Sequence, residues 1–491
     1  MGKHIEASAL VAGSVDEVRR RLEQSVAALQ RMVEEGWFTG HEDTVGMEVE
    51  LDLVDPLGRP RLVNDIVLAR LGRTDMQQEL GQFNVELNLA PTRLEGPVLR
   101  DSQRDLEDVL DTCRTQIEGL GARLIAIGML PTLSAEHLTA EKISANPRYG
   151  LLCRRMRAAR HRPFHVNIVD ACEPVEFATE SVAPEAAATS LQLHLRVAPD
   201  RFADYFNAAQ LIASLQVASA ANSPYLLARR VWHETRITLL EQLLDTRDPR
   251  QVRAGVPARV YLGEGWTDSA VALFENLVRQ FAPLLPTLEA EDPVAALDTG
   301  NIPALHELRL HNGTVWRWNR PVYDVQEGRP HLRIENRVLP SGPTAVDMVA
   351  NAAFFYGLLR GIVDRDTAPW TQTPFEVAKR DLHLTARDGL AARVFWEGRD
   401  QAADRLILDV LLPVAEAGLD AWGVNPQDRD RYLGVVEARV RTGRTGAVWQ
   451  TRTVRCLEER GSQRTQALHE MTRRYAENSR AGAPVHEWPI P

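Results

Sequence analysis

Cysteine is scarce in this 491-residue chain, and the four present, Cys113, Cys153, Cys172 and Cys456, lie far apart with no C-x-x-C pair among them. A thiolate zinc site and a disulfide framework are thereby disfavoured, and a reducing compartment fits best. Charge of one sign is not concentrated anywhere. The 67 acidic and 57 basic residues are spread along the chain, for a formal charge of -10, so no nucleic-acid or membrane partner is expected. The opening MGKHIEASAL has no apolar signal core, and Glu6 stands where a myristoylation motif needs Ser or Thr. No apolar run approaches the roughly 20 residues that span a bilayer. A cytoplasmic protein is the expectation.

Several chemistry-bearing signatures are missing as well. There is no G-x-x-x-x-G-K-[ST] loop and no G-x-G-x-x-G after a strand, and LGEGWT around Gly263 and Gly265 has the wrong spacing. No G-x-S-x-G elbow appears, and no cysteine sits in a nucleophile signature, so an acyl-enzyme has no support. HELRLH, from His306 to His311, places its histidines five apart instead of four, which takes them off a common helical face and makes a structural role the better reading. Any use of ATP must then rest on metal ions and arginines.

What is present is an ordinary globular balance, 44% hydrophobic and 25% charged, in a chain longer than most single domains. Val15, Val18, Leu22, Val26, Leu29 and Met32 recur at helical spacing behind a Ser14/Glu17 capping box, predicting an amphipathic helix from Ser14 to about Phe38. Further helical stretches are predicted from about Pro97 to Leu120 and from about Arg201 to Glu241. A buried helix should run from Pro343 through Leu359, entered by a turn at Ser341 and Gly342. The Ala-, Glu- and Pro-rich segment from Ala171 to Ala188 reads as a long loop or lid, and the tail GAPVHEWPIP as loosely held. The expected architecture is α+β with a curved, largely antiparallel sheet. Residues 1–363 are read as the catalytic domain and residues 364–491 as a mostly helical region packed on it.

Four strands carry the chemistry. In GMEVELDLVD, Met47, Val49, Leu51 and Leu53 alternate with Glu48, Glu50 and Asp52, which puts three carboxylates on one face. Alone this is the wet face of an antiparallel sheet more often than a site. The pattern returns in QFNVELNLA, with Asn84, Glu86 and Asn88 on the polar side and Glu79 just upstream. It returns again in SLQLHLRV with Gln192, His194 and Arg196, and in HLRIENRVLP with Arg333, Glu335 and Arg337. These faces hold few lysines and hydroxyls and many possible ligands. If the four strands lie side by side, their polar sides form a floor bearing Glu48, Glu50, Glu86, His194 and Glu335. Dispersed oxygen ligands suit Mg2+, and one histidine among them is compatible with Mg2+ or Mn2+. Arginine supplies the complement, because its planar fork pairs with carboxylates and phosphates. The candidates are Arg236, after the Asn222-Ser223-Pro224 turn, Arg320, closing TVWRWNR, and Arg337. For Arg236 a solvated helical position is an equal reading.

GMEVELDLVD, ELGQFNVELN, NPRYGLL, LQLHLRV, ANSPYLLARRVWHETRI, TVWRWNRPVYDV and LRIENRVLPSGPTAVD occur in the order seen in glutamate-cysteine ligases. The chain resembles the second, bacterial carboxylate-amine ligase branch of that family, from about Val45 to Leu359, with a weaker echo in RTGRTGAVWQ. The resemblance implies a catalytic fold shared with glutamine synthetase. It implies metal ligation by Glu48, Glu50, Glu86, His194 and Glu335, and contacts from Arg236, Arg320 and Arg337 to phosphate or substrate carboxylate. It departs in the fourth motif, where Pro340 and Pro343 come early and Asp347 late, a difference that bears on the acceptor.

The function so implied is ATP- and Mg2+-dependent joining of the glutamate γ-carboxylate to an amine, with cysteine favoured, through a γ-glutamyl phosphate. That would place the protein in glutathione or other thiol biosynthesis. The alternatives are the same chemistry with another amine, a metal-dependent hydrolase, and a non-catalytic nucleotide or amino-acid sensor. A homodimer is the base-rate expectation.

Overall fold

The computed structural model describes residues 14–40 and 42–491, so the amino-terminal stretch with Glu6 lies outside the described residues. Seven strands form the main sheet: β1 (Thr44–Val54), β2 (Met76–Gln78), β3 (Asn84–Arg93), β4 (Arg123–Ile125), β5 (Ser190–Arg196), β6 (Asn319–Gln326) and β7 (Arg329–Pro340). Their order is β6-β7-β5-β1-β3-β2, with β4 paired to the far end of β1, and every pairing is antiparallel. The four strands read from alternation are therefore the four central ones, in the order β7, β5, β1, β3. On their apolar side Val49, Leu51, Leu193 and Ile334 are each at most 1% exposed.

The described helices include α1 (Val15–Glu34), α2 (Val98–Ile117), α3 (Pro147–Arg160), α4 (Phe202–Ala220), α5 (Ala345–Val363), α6 (Leu412–Ala421), α7 (Pro426–Thr442) and α8 (Arg464–Ala481). The Ser14/Glu17 capping box is formed at the head of α1, which ends at Glu34, ahead of Gly36 at φ +72°. Helices α4 and α5 pack on each other behind the sheet, and nearly all their residues are buried. Among the described helices only α5 is long and apolar enough to cross a membrane, and it is a core helix. From behind the sheet its Tyr356 hydroxyl donates to the carbonyls of Gly46 on β1 and His194 on β5, each at 3.2 Å.

The helix side also holds a polar ladder that alternation conceals. Asn336 donates to Asn319 at 2.7 Å and to Gln216 at 3.1 Å, and Asn319 donates to Gln210 at 2.8 Å. These amides satisfy one another in the core and hold β6 and β7 in register with α4. Helices α5 and α6 cross at glycines. A Cβ on Gly418 would lie 1.9 Å from the Gly357 carbonyl oxygen, so no side chain fits there.

Three expectations are revised. The helical stretch from Arg201 to Glu241 is two helices, α4 and Thr235–Leu243, parted by a small hairpin whose turn residues Leu227 and Ala228 take φ of 50° and 62°. The segment from Ala171 to Ala188 contributes the strand Val175–Thr179 and a buried turn at Ala183–Ala187. The tail is anchored. Trp488 is 2% exposed and packs edge-on against Trp449 and Tyr475, with ring centroids 5.0 Å away, because a large aromatic surface gains more from burial than a short tail loses in freedom.

Candidate functional site

Strand register brings the polar residues together. Glu50 on β1 stands opposite Glu86 on β3, Gln77 on β2 stands opposite Glu86, and Glu335 on β7 stands opposite His194 on β5. Gly46 lies across from His194. On the polar side of the sheet is a cavity of about 480 Å3. Its lining includes Glu48, Glu50, Glu79, Glu86 and Glu185 together with Arg148, Arg320 and Arg337.

Glu50, Glu79 and Glu86 form the tightest cluster, each offering an oxygen within 4.8 Å of the other two. Among the described residues the donors that reach them are neutral amides. Glu50 accepts from the Ser190 amide at 2.6 Å and Gln192 at 3.0 Å, Glu86 from Asn88 at 2.9 Å and from Gln77, and Glu79 from the Leu80 amide at 3.2 Å. Burial pushes all three carboxyls up. Glu50 is raised although Arg337 and Arg236 oppose it, Glu79 is raised well above its ordinary value with help from Glu86 and Glu50, and Glu86 reaches about 7 with help from Glu48 and Glu50. Three crowded carboxylates without a cation must either keep protons or hold a metal. Oxygens around Mg2+ at about 2.1 Å lie roughly 3–4 Å apart, which this spacing accommodates. The donor set fits a hard divalent cation.

The remaining floor residues are engaged differently. Glu48 lies 3.2 Å from His194 Nε2, and His194 Nδ1 faces Arg333 Nε at 3.3 Å. Glu335 is buried beneath two guanidiniums, Arg320 at 2.8 Å and Arg337 at 2.6 Å. Burial alone would raise its pKa, but those arginines hold the carboxyl well below the usual range. Arg337 also donates to Gln192 at 2.6 Å, so β7 and β5 fix its direction toward the cavity. Arg236 is 1% exposed, does not line the cavity, and donates to Glu234 at 3.0 Å and the Val338 carbonyl at 3.2 Å. It braces the end of β7 from outside the cavity.

The structure thus brings Glu48, Glu50 and Glu86 to one cavity, sets His194 beside Glu48, and uses Glu335 to hold Arg320 and Arg337. Sequence reasoning noted Glu79 without counting it, because it follows a three-residue strand too short to show alternation. It missed Glu185, which burial and the charge of Glu50 push up to about 7, because the alanine-rich segment around it reads as a loop. Asp347 does not face the cavity. It is buried beside Arg439 at 2.7 Å, and its other oxygen accepts from the Val485 amide at 2.9 Å, so its late position in the motif serves packing. His311 is buried and burial lowers it to about 3, in keeping with the structural reading of HELRLH.

The model of the glutamate-cysteine ligase family 2 matches residues 44–477. No curated protein matches the chain in sequence. The fold is similar to that of glutamate-cysteine ligase from Francisella tularensis, solved in complex with AMP, with a TM-score of 0.56 at 12% identity over 92% of this chain and 91% of that one. It is also similar to a bifunctional glutathione synthetase from Pasteurella multocida, with a TM-score of 0.51 at 13% identity over 93% of this chain and 55% of that one. The curved antiparallel sheet with flanking helices is the glutamine synthetase-like arrangement expected from the sequence.

Proposed function

The chain belongs to the glutamate-cysteine ligase family 2, whose members are ATP-dependent carboxylate-amine ligases, and we propose that it joins the γ-carboxylate of glutamate to the amine of cysteine. The observation that supports this reading is the Glu50, Glu79 and Glu86 cluster in one cavity with Arg320 and Arg337. In this reading the three glutamates, with Glu48 and His194 beside them, hold Mg2+ or Mn2+. There the cation would supply positive charge to offset the negative charge of the ATP phosphates.

The residues' own work is positioning. Glu335 fixes the two guanidiniums so that their remaining N–H groups aim at the cavity, where they offset charge on the transferred phosphoryl oxygens. The glutamate γ-carboxylate oxygen attacks the γ-phosphorus, the bond to ADP breaks, and a γ-glutamyl phosphate forms. The neutral amine then adds to its carbonyl, phosphate leaves with the oxygen that had attacked phosphorus, and the nitrogen gives up a proton to solvent as the amide forms. The chain supplies no nucleophile, consistent with the missing serine and cysteine signatures.

The test is ADP release by the purified protein with Mg2+, ATP and glutamate, without amine, with cysteine, and with a panel of other amines. Cysteine-dependent release with γ-glutamylcysteine in the mass spectrum is expected. Release with another amine and none with cysteine overturns the acceptor assignment.

A further inference from the structure

A second cavity of about 170 Å3 adjoins the first, and the two share Arg148, Gly313 and Arg320 in their walls. Its other cations are engaged. Arg309 pairs with Asp324 at 2.6 Å, Arg333 with the same carboxylate at 3.4 Å, and Arg320 with Glu335 at 2.8 Å. Arg148 is different. Among the described residues no carboxylate lies within 4.0 Å of its guanidinium and no acceptor hydrogen-bonds to it, although the side chain is half-buried. Its place is set from behind, since Asn146 caps α3 by accepting from the Arg148 amide at 3.0 Å. Gly313 leaves open the space beside the guanidinium, where a Cβ would come within 3.7 Å of Nη2.

A guanidinium taken partly out of water without a counter-ion is unfavourable, and an anion from a ligand relieves it. Burial lowers the pKa of Arg148 and Arg320 adds to this, against the opposing influence of Tyr149 and of the more distant Glu79 carboxylate. The size of the second cavity limits the ligand. At about 170 Å3 it falls well below the ~300–1,000 Å3 that drug-sized molecules such as nucleotides occupy. It has room for a small amino acid. An α-amino acid with its carboxylate on Arg148 would have its amine next to that carboxylate, at the mouth of the larger cavity where the acyl phosphate forms.

We propose that Arg148 binds the α-carboxylate of the acceptor, so that the enzyme takes an amino acid and not a simple amine as its second substrate. This rests on the ligase reading above and deepens it. The site discriminates cysteine from cysteamine, which has the same amine and thiol without the carboxylate.

The test compares the wild-type protein with Arg148→Gln and Arg148→Lys. Losing a charge-assisted bidentate contact should raise the acceptor KM on the order of 10- to 100-fold while the KM values for ATP and glutamate stay within about 2-fold. Wild type should prefer cysteine to cysteamine by a similar factor, Arg148→Gln should lose that preference, and Arg148→Lys should keep part of it. Calorimetric titration of both compounds into the resting proteins reads the same preference without turnover. A shift in the ATP or glutamate KM instead, equal binding of cysteine and cysteamine by wild type, or binding of neither overturns the proposal. Failure of the ligase reading looks different, because wild type then releases no ADP with any amine.

Discussion

Glu86→Gln lowers ligase turnover on the order of 10²- to 10³-fold and leaves a folded protein that no longer responds to Mg2+. Glutamine keeps the size of the side chain and its contact with Gln77 but removes one of three negative ligands. The sign of the stability change follows from the raised pKa. Glu86 sits at about 7 in the fold against an ordinary 4.5, so the folded state holds its proton more tightly than the unfolded chain does. That contribution is full below about pH 4.5 and is lost as pH rises through about 7. Without metal, then, wild type loses unfolding temperature over this range, and Glu86→Gln loses less. Mg2+ replaces the proton, so its stabilisation of wild type grows from about pH 6 to about pH 8 and is absent in the variant. Glu50→Gln likewise lowers turnover and the response to Mg2+. A turnover near wild type in both variants removes the metal cradle from the account.

Arg439→Leu costs about 3–5 kcal/mol of stability, the penalty for leaving a buried charge without its partner. Arg439 on α7 is 1% exposed and Asp347 on α5 is fully buried. The guanidinium donates to Asp347 at 2.7 Å and to Asn351 at 2.6 Å, and also reaches the Ser219 carbonyl at 3.3 Å. Three helices and, through Val485, the tail meet at this pair. Removing the cation alone strands a carboxylate in the core. Removing both charges in Arg439→Leu/Asp347→Asn restores much of the loss. Urea unfolding of the two variants measures the difference, and equal stability of the single variant and wild type contradicts the role given to the pair.

The four strands were legible because alternation along one chain is a local property, and β1, β3, β5 and β7 each carry it over seven or more residues. Their adjacency was an assumption from chemistry, and the register now sets Glu50 beside Glu86 and Glu335 beside His194. What could not be read depends on distant parts of the chain meeting. Glu335 looks like any other carboxylate of the floor, yet two guanidiniums from β6 and β7 engage it. Arg236 looks like a ligand arginine, yet Glu234, two residues earlier, already neutralises it. Arg148 stood in a quoted motif without a role, since its lack of a partner is visible only once its neighbours are known. The tail was misjudged because proline and polar residues suggest a loose end, while Trp488 finds a pocket between Trp449 and Tyr475.

The most direct test of the central claim, activation of a carboxylate by phosphorylation over the acidic cradle, follows oxygen. Glutamate labelled with 18O in its γ-carboxylate is turned over with Mg2+, ATP and the amine that the release assay identifies. The account predicts that each phosphate released carries one labelled oxygen, handed over when the acyl phosphate collapses to the amide. Amide formation with unlabelled phosphate contradicts it.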